Sequence, residues 1–310
     1  MLKRLSSDKK IGVVSVSSSM SPNVFKNGEC YVRALGFDIV CPLDPCANWG
    51  KNEHGFGSAT PPERADAFMQ LIKDDDVGVV VLARGGYGAG QILPLLDYEE
   101  IARQKKLIVG FSDVTVLLSA IAKKSELITV HGPTLSTLGE AIDCMEAQES
   151  ASLLFHLLQD NEYRPMMHGE IARPGHAEGR LIIGNLSLLT ALIGTPWDLD
   201  YSGKILAIED VNEPAYRIHR ALMQMYYAGK LEHLAGLCLG QFSFSGGTSG
   251  KDIAQEELIV HILRDILSKT SYPVIVNCPF GHNENNVAWP FYSHVSIRNG
   301  EMIGIQQIIS

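Results

Sequence analysis

Ser112 is the first residue of the chain whose type and position suit hydrolytic chemistry. It follows the apolar run Leu107–Phe111 and precedes the helical pattern Val114–Lys123. A serine in such a turn lies at the C-terminal end of a strand, where open α/β sheets bind ligands. The backbone N–H of Asp113 then faces outward at the positive end of the helix dipole and can bind an oxyanion. The Gly-x-Ser-x-Gly motif is absent, and Ser or Asp before a helix is also a common N-cap. The segment alone therefore leaves two interpretations open, a nucleophile and a helix cap.

A glycine-rich turn follows the apolar run that ends near Leu82. Arg84 precedes the glycines Gly85, Gly86 and Gly88, which match neither the dinucleotide-binding nor the P-loop pattern. Adjacent glycines let backbone N–H groups approach a ligand closely, or they simply make a tight turn. Arg84 suits a carboxylate, which its guanidinium can bind with two hydrogen bonds. A structural salt bridge explains the same arginine equally well.

An acid and a base complete the set of candidate residues, but they are far apart in the sequence. Glu209 and Asp210 end one predicted strand, and His282 lies in a Phe-Gly-His-Asn segment after another. Catalytic triads are defined by geometry and not by order in the chain, so spacing does not show whether these residues meet. From the residues alone we predict an α/β protein with an anion or oxyanion site. A non-catalytic small-ligand or nucleotide-binding module stays open.

The first half of the chain alternates short apolar runs with helical patterns. Continuous apolar strands between helices are typical of a parallel sheet covered on both faces. We therefore predict an N-terminal doubly wound, parallel-sheet (Rossmann-like) domain of the α/β class. The predicted strands are Ile11–Val16, Phe37–Cys41, Val77–Leu82, Leu107–Phe111 and Leu127–Val130, and the predicted helices are Val24–Leu35, Pro61–Lys73, Ala89–Gln104 and Val114–Lys123.

With 310 residues the chain exceeds the usual size of one hydrophobic core, which favours two domains. The alternation lapses after Cys144. We predict an N-terminal domain over 1–145, a linker over 146–178 and a smaller, mixed α+β C-terminal domain over 179–310. The strands predicted for that domain are Leu181–Ile183, Lys204–Ile208, Gly236–Gln241, Pro273–Val276, Ser293–Ile297 and Met302–Ile308, and the helices are Asn185–Ile193, Pro214–Ala228 and Ile253–Leu267.

Composition and charge exclude several classes of protein. The net charge of −9 argues against a partner such as nucleic acid or an anionic membrane. No apolar run approaches the roughly 18 residues of a membrane span, and Ile11–Val16 is too short for the core of a signal peptide. The six cysteines are scattered, without zinc-site spacing. We expect a soluble, cytoplasmic protein that uses no metal and no cofactor.

Several segments occur in the order that one known family shows. Over nearly its whole length the chain resembles the serine L,D-carboxypeptidases (muramoyltetrapeptide carboxypeptidases), which share their fold with the microcin-immunity peptidases. The segments that carry the resemblance are Arg84–Gly88, Gly110–Thr115, Gly132-Pro133, Gly194–Trp197, Glu209–Glu213 with Arg217 and Arg220, and Phe280–His282.

The resemblance implies a serine peptidase mechanism with a role for each candidate. Ser112 corresponds to the nucleophile, His282 to the general base and Glu209 to the acid that orients the histidine. Glu213 competes for the last role, and we favour Glu209 because a residue at the end of a strand is rigidly held. With Ser112 in one domain and the other two residues in the next, the site is expected in the cleft between them.

The family also implies an oxyanion hole and a substrate. The hole corresponds to the backbone N–H groups of Gly86 and Asp113. The substrate is a cytoplasmic muropeptide whose stem ends in a diamino acid and D-alanine, and its D-alanine is released during peptidoglycan recycling. Arg84 is a chemically suitable partner for the terminal carboxylate. The family further suggests a homodimer.

Two departures from the family pattern concern the shape of the substrate and leave the triad unaffected. The run Val14–Ser19 replaces a small, proline-containing segment, and Ile183 stands where a second glycine often precedes Gly184-Asn185-Leu186. Two alternatives therefore accompany the carboxypeptidase. One is a microcin-immunity-type peptidase that cleaves a peptidyl-nucleotide antibiotic, and the other is a non-catalytic small-ligand-binding protein.

Overall fold

The computed structural model describes residues 4–51, 57–244, 257, 260–282 and 286–305. These residues pack as two compact units. The first comprises the described residues up to 165 together with 286–291, and the second comprises those of 166–282 and 292–305. A short segment late in the chain therefore belongs to the first unit.

The regular elements are labelled in chain order over the described residues. The strands are β1 (Lys10–Val14), β2 (Ile39–Val40), β3 (Val77–Leu82), β4 (Leu107–Gly110), β5 (Thr129–His131), β6 (Met166–His168), β7 (Glu170–Arg173), β8 (His176–Asn185), β9 (Lys204–Asp210), β10 (Gly236–Phe242), β11 (Val274–Val276), β12 (Trp289–Phe291), β13 (His294–Arg298) and β14 (Glu301–Gly304). The helices are α1 (Pro22–Ala34), α2 (Pro61–Lys73), α3 (Ala89–Ile92), α4 (Tyr98–Gln104), α5 (Thr115–Ser125), α6 (Leu135–Glu140), α7 (Met145–Gln159), α8 (Leu186–Ala191) and α9 (Ala215–Tyr227).

The first unit is built on a sheet in the order β12-β5-β4-β3-β1-β2. Strands β1 to β5 run parallel, and β12 adds antiparallel to the edge strand β5. Alternate side chains of a strand point to opposite faces. Ile11 and Val13 of β1 belong to one buried cluster with Val32 of α1 and Leu154 of α7, whereas Gly12 lies against Leu71 of α2. Helices therefore cover both faces, and the predicted doubly wound parallel sheet is confirmed.

The second unit contains a mixed sheet in the order β6-β14-β13-β8-β9-β10-β11-β7. Strands β8 to β11 are parallel, and the remaining pairs are antiparallel. The register of β8 and β9 places Asn185 beside Glu209 where both strands end. Polar side chains of two neighbouring strands thus lie side by side at the C-terminal ends of these strands.

The two outermost strands of this second sheet are one stretch of chain. Only Gly169 separates β6 from β7, yet β6 pairs with β14 and β7 pairs with β11. This continuous stretch therefore pairs with β14 at one end of the sheet and with β11 at the other, so the sheet closes on itself. A Cβ at Gly169 would lie 2.7 Å from the Cys278 sulfur and 2.8 Å from the Val276 carbonyl oxygen. Closure requires a glycine at this position, because nothing larger fits.

The segment predicted as a linker, 146–178, consists largely of regular elements in the structure. Helix α7 covers its first part and buries Ala151, Leu154 and Leu158 completely. Strands β6 and β7 and the beginning of β8 cover the rest. The strands escaped prediction because they are short and expose half of their side chains.

Other elements also differ from the expectation. The helix predicted over Ala89–Gln104 is divided into α3, a 3₁₀ turn at Leu93–Leu95 and α4, since Pro94 cannot continue an α-helix. Strand β12, a three-residue strand with a central proline, was not predicted. The predicted helix Ile253–Leu267 starts outside the described residues, and its described end is a π-helical turn at Ile262–Ile266. The predicted strand Met302–Ile308 likewise extends past the described part of the chain.

Within the described residues, no helix combines the length and the apolar character that a membrane span requires.

Candidate active site

Ser112 lies in a tight turn between β4 and α5. Its φ is 67°, a left-handed conformation that strains any residue with a Cβ. A 3₁₀ turn at Ser112–Val114 leads into α5. The N-cap positions are Phe111 for the 3₁₀ turn and Val114 for α5, so the helix-cap interpretation of Ser112 is not what the structure shows. A strained serine between a strand and a helix is the geometry of a nucleophile elbow.

The glycine-rich turn after β3 lies directly over this serine. A Cβ at Gly85 would stand 2.7 Å from Ser112 Cβ, 2.8 Å from Ser112 Oγ and 3.5 Å from the backbone nitrogen of Asp113. Gly86 is exposed and has a φ of 113°, which only glycine adopts readily. The backbone of this loop can therefore come close to the serine and to the N–H that follows it.

Arg84, at the start of the same loop, is half buried and donates a hydrogen bond to the carbonyl oxygen of Ser19 at 3.0 Å. The partner is neutral, so this contact fixes the side chain without compensating its charge. The salt-bridge alternative has no support in the ion pairs of the described residues. A positive group near the loop suits a carboxylate ligand.

In the second unit, Glu209 and His282 are joined by a hydrogen bond. The distance from His282 Nδ1 to Glu209 Oε2 is 2.7 Å, and the Glu209 side chain is 0% exposed. The loop of His282 approaches strand β9 closely because Gly281 has no side chain. A Cβ there would lie 2.8 Å from Glu209 Oε2, and the φ of Gly281 is 120°. Phe280, fully buried, anchors the loop against Gly240 of β10.

The hydrogen bond between His282 and Glu209 is of the kind that joins a general base to the acid that orients it. An ionised Glu209 only accepts hydrogen bonds, so Nδ1 of His282 carries the proton that it donates. Nε2 is then the ring nitrogen with a lone pair, the one that can accept a proton. The second oxygen of Glu209, Oε1, has no hydrogen-bond partner among the described residues. The hydrogen bond from His282 is therefore the interaction that stabilises this buried carboxylate among the described residues.

Glu213, the competing acid, lies in the turn that precedes α9. Its Oε2 accepts a hydrogen bond from Arg217 at 3.1 Å, and its backbone N–H donates to Ser243. The hydrogen bond to His282 belongs to Glu209. The predicted placement of both acids, one at the end of a buried strand and one in the turn, agrees with the geometry.

Sequence reasoning missed the function of Asp210, the neighbour of Glu209. Consecutive strand residues point to opposite sides, and Asp210 accepts hydrogen bonds from Asn185 at 2.8 Å and from Ser187 at 2.7 Å. These bonds tie the end of β9 to the start of α8. The acidic pair Glu209-Asp210 was the available signal, but no pattern distinguishes a catalytic acid from a structural one.

A cavity of about 380 Å³ lies between α8 and α9 in the second unit. The charged residues that line the cavity are Glu213, Arg217 and Arg220. Ser187 also lines it and donates a hydrogen bond to Asp210. Opposite charges in one cavity suit a ligand that itself carries both an ammonium and a carboxylate group. Arg217 and Arg220 were noted in the sequence without a role.

No group of three or more His, Cys, Asp or Glu residues in the described part of the chain is placed to hold a metal ion.

The fold has two units that each combine helices with a sheet, and comparison with known proteins gives the family of the chain. Residues 11–132 match the LD-carboxypeptidase N-terminal domain, and residues 178–297 match the LD-carboxypeptidase C-terminal domain. The chain belongs to the LD-carboxypeptidase family, and it is a serine-type carboxypeptidase.

Individual relatives agree with this assignment. A probable murein peptide carboxypeptidase of Bacillus subtilis is 31% identical over 310 residues, which cover 98% of this chain and 93% of the relative. The structure of a muramoyltetrapeptide carboxypeptidase from Oxalobacter formigenes superimposes with a TM-score of 0.80 at 26% identity, covering 95% of this chain and 97% of that one. The microcin self-immunity protein MccF, solved with glutamyl sulfamoyl guanosine, shares the fold with a TM-score of 0.87 at 23% identity, covering 100% of this chain and 99% of that one.

Proposed function

We propose that this enzyme is a cytoplasmic L,D-carboxypeptidase that releases the terminal D-alanine from muropeptide tetrapeptide stems during peptidoglycan recycling. The observation that carries the proposal is the 2.7 Å hydrogen bond between His282 and the buried Glu209. A histidine oriented in this way is the general base that a serine peptidase needs. The murein peptide carboxypeptidases among the relatives support the choice of substrate.

In the proposed mechanism Ser112, His282 and Glu209 act as a triad. Nε2 of His282 takes the proton of Ser112 while Oγ attacks the carbonyl carbon of the peptide bond before D-alanine. Glu209 stabilises the imidazolium that forms. His282 then gives the proton to the leaving amine, and the C–N bond breaks. Water, activated by the same histidine, hydrolyses the ester and releases the shortened stem.

The tetrahedral intermediate carries its negative charge on the former carbonyl oxygen. We assign its stabilisation to the backbone N–H groups of Gly86 and Asp113. The strained turn of Ser112 and the close approach of Gly85 support this assignment. Losing one such donor typically costs about 100- to 1,000-fold in rate.

The substrate carries charges that these residues can recognise. Arg84 is proposed to bind the carboxylate of the terminal D-alanine. The cavity with Glu213, Arg217 and Arg220 is proposed to receive the charged end of the diamino acid, with the ammonium on the glutamate and the carboxylate on an arginine. Lysine carries only the ammonium at that end, whereas meso-diaminopimelate carries both groups.

The decisive experiment is an assay of D-alanine release. Purified enzyme is incubated with a tetrapeptide stem ending in D-alanine and with the same stem ending in L-alanine, which is the stereochemical control. We expect free D-alanine from the first and no release from the second. An enzyme that releases nothing from any muropeptide would refute the proposed substrate.

A microcin-immunity-type activity is the alternative to test in the same assay. A glutamyl sulfamoyl nucleoside serves as the probe, because the similar protein MccF was solved with one. We expect little or no cleavage. Efficient cleavage of this compound, together with no release of D-alanine, would establish the alternative in place of the carboxypeptidase.

The assembly proposed for the enzyme is a homodimer. Sedimentation at micromolar concentration is expected to give twice the chain mass of 33.9 kDa. Material of 33.9 kDa alone would contradict the dimer without affecting the proposed reaction.

A further inference from the structure

A buried arginine lies beneath the glycine-rich loop of the first unit. Arg64, in α2, is 1% exposed. Its Nε donates to the carbonyl oxygen of Ala59 at 3.1 Å, and Nη2 donates to Gln91 Oε1 at 2.6 Å. Its Nη1 donates to two carbonyl oxygens, that of Gly88 at 2.9 Å and that of Val16. The guanidinium thus has partners in three separate loops.

Two glycines make room for this guanidinium. A Cβ at Gly57 would lie 3.1 Å from Cζ and from Nε of Arg64, and a Cβ at Gly88 would lie 2.9 Å from its Nη1. Both distances are shorter than an ordinary van der Waals contact. The surroundings of Arg64 are therefore shaped to its head group.

Asp113, the residue after the proposed nucleophile, provides the opposite charge. It is buried, and its Oδ2 accepts hydrogen bonds from Ser17 Oγ at 2.6 Å and from the backbone N–H of Ala89 at 2.8 Å. Burial raises the pKa of the Asp113 carboxyl, whereas those hydrogen bonds and the charge of Arg64 act in the other direction. Burial likewise lowers the pKa of Arg64, and Asp113 opposes that effect.

Arg64 and Asp113 hold the same peptide group from its two polar ends. The carbonyl of the peptide between Gly88 and Ala89 accepts from Arg64, and its N–H donates to Asp113. Of the neighbours Val16 and Ser17, the first accepts from Arg64 with its carbonyl oxygen, and the second donates its side-chain hydroxyl to Asp113. The end of the glycine-rich loop is therefore fixed in orientation as well as in position.

We propose that Arg64 and the side chain of Asp113 are positioning residues for the oxyanion hole. The inference rests on the proposed function, in which the backbone N–H groups of Asp113 and Gly86 bind the oxyanion. Asp113 supplies one of these donors, and its carboxylate fixes the loop that supplies the other. The network flanks the strained backbone of Ser112, whose φ is 67°, and it binds Gly88, whose φ of 126° only glycine adopts readily.

Energetics favour positioning over simple stabilisation. Buried charged groups such as Arg64 and Asp113 contribute little to folding stability compared with apolar side chains of similar volume. Strained backbone conformations persist only where the surroundings enforce them. A charged network next to the strained Ser112 and bound to the end of the glycine-rich loop therefore serves the conformation of both.

The test compares Arg64→Lys and Asp113→Asn with the wild type. We expect kcat for D-alanine release to fall by about 10- to 100-fold while KM stays within about threefold, because only the transition state uses the oxyanion hole. Affinity for a stem peptide that ends in the diamino acid, with its carboxyl group replaced by a boronic acid, is expected to fall in parallel with kcat/KM. Arg33→Lys is the matched control, since Arg33 is an exposed arginine with acidic partners in the same unit. It is expected to behave as wild type.

A chemical rescue separates positioning from folding. Guanidinium ion at millimolar concentration is expected to restore part of the kcat of Arg64→Ala, and sodium ion at the same concentration is not. Folding of each variant is checked by circular dichroism. Should the Arg64 variants fail to fold, Gln91→Ala and Ser17→Ala, which each remove one partner of the network, are expected to lower kcat by about 3- to 10-fold.

Wild-type kcat in the folded variants, or a change confined to KM, would overturn the proposal. The rate of labelling by a fluorophosphonate gives a second readout that needs no muropeptide. Rapid labelling of the wild type without release of D-alanine would mean that the proposed substrate is wrong. In that case, slower labelling of the Arg64 and Asp113 variants would still support the network, and equal labelling would refute it.

Discussion

The proposed nucleophile and the proposed base of this enzyme are held in place by different means. Ser112 is positioned by its backbone, through a strained turn and a loop of glycines packed over it. His282 is positioned by its side chain, through a hydrogen bond to the wholly buried Glu209. Glycine makes room in both regions, since Gly85 lies against the serine and Gly281 lies against the glutamate.

The difference follows from what each residue must do. The oxygen of a nucleophilic serine has to stay accessible to the substrate, so few side chains can hold it and the backbone must do so. An imidazole has two nitrogens, and one of them can be given to an acid while the other stays reactive. The first region is therefore expected to be sensitive to backbone space, and the second to the charge of one carboxylate.

The largest effect is expected from removing the nucleophile. Ser112→Ala should lower kcat by at least about 10,000-fold, because the oxyanion hole and substrate binding alone then remain. KM and the thermal unfolding temperature should stay near those of the wild type. Release of D-alanine by this variant at a near-normal rate would show that the nucleophile is another residue.

Neutralising the orienting acid is expected to come next. Glu209→Gln should lower kcat by about 10,000-fold or somewhat less, since an amide can donate to Nδ1 and stabilise the wrong tautomer of His282. Steady-state kinetics with the tetrapeptide measures the effect. A larger loss in Glu213→Gln than in Glu209→Gln would reverse the assignment of the two acids.

Filling the space over the serine tests the backbone part of the comparison. Gly85→Ala should lower kcat by about 100-fold, because its Cβ would lie 2.7 Å from Ser112 Cβ and displace the glycine-rich loop, which carries the proposed oxyanion donor Gly86. Gly90→Ala is the matched control, for a Cβ there meets nothing within 4 Å. The comparison would fail if both alanine variants had the same activity.

The smallest effect is expected at the competing acid. Glu213→Gln should leave kcat almost unchanged and raise KM by up to about tenfold, because it changes a binding cavity and not the triad. Loss of its partly exposed pair with Arg217 should lower the free energy of unfolding by about 0.5 kcal/mol or less. Kinetics and thermal unfolding of one preparation separate the two effects, and a kcat loss without a KM change would contradict the cavity assignment.

Local sequence patterns predicted the first unit well. The apolar runs that became β1, β3 and β4 are separated by helical patterns, and such runs form buried parallel strands wherever helices cover both faces. Ser112 was found in the same way, because a strand, a serine and a helix follow each other within a few residues. The second unit was predicted less well, since β6 and β7 have only three or four residues each and carry no clear period. The three-residue β12 of the first unit was missed for the same reason.

What the sequence by itself determined is therefore the parallel α/β unit, the turn of Ser112 and, through the ordered motifs, the family. The tertiary structure alone decided that Glu209 bonds to His282, 73 positions away, while Glu213 pairs with its neighbour Arg217. It alone placed Arg64 and Asp113 on one peptide group. The physical reason is that periodicity and turn chemistry act between neighbours in the chain, whereas a buried charge is satisfied by whichever group packing brings within hydrogen-bond distance.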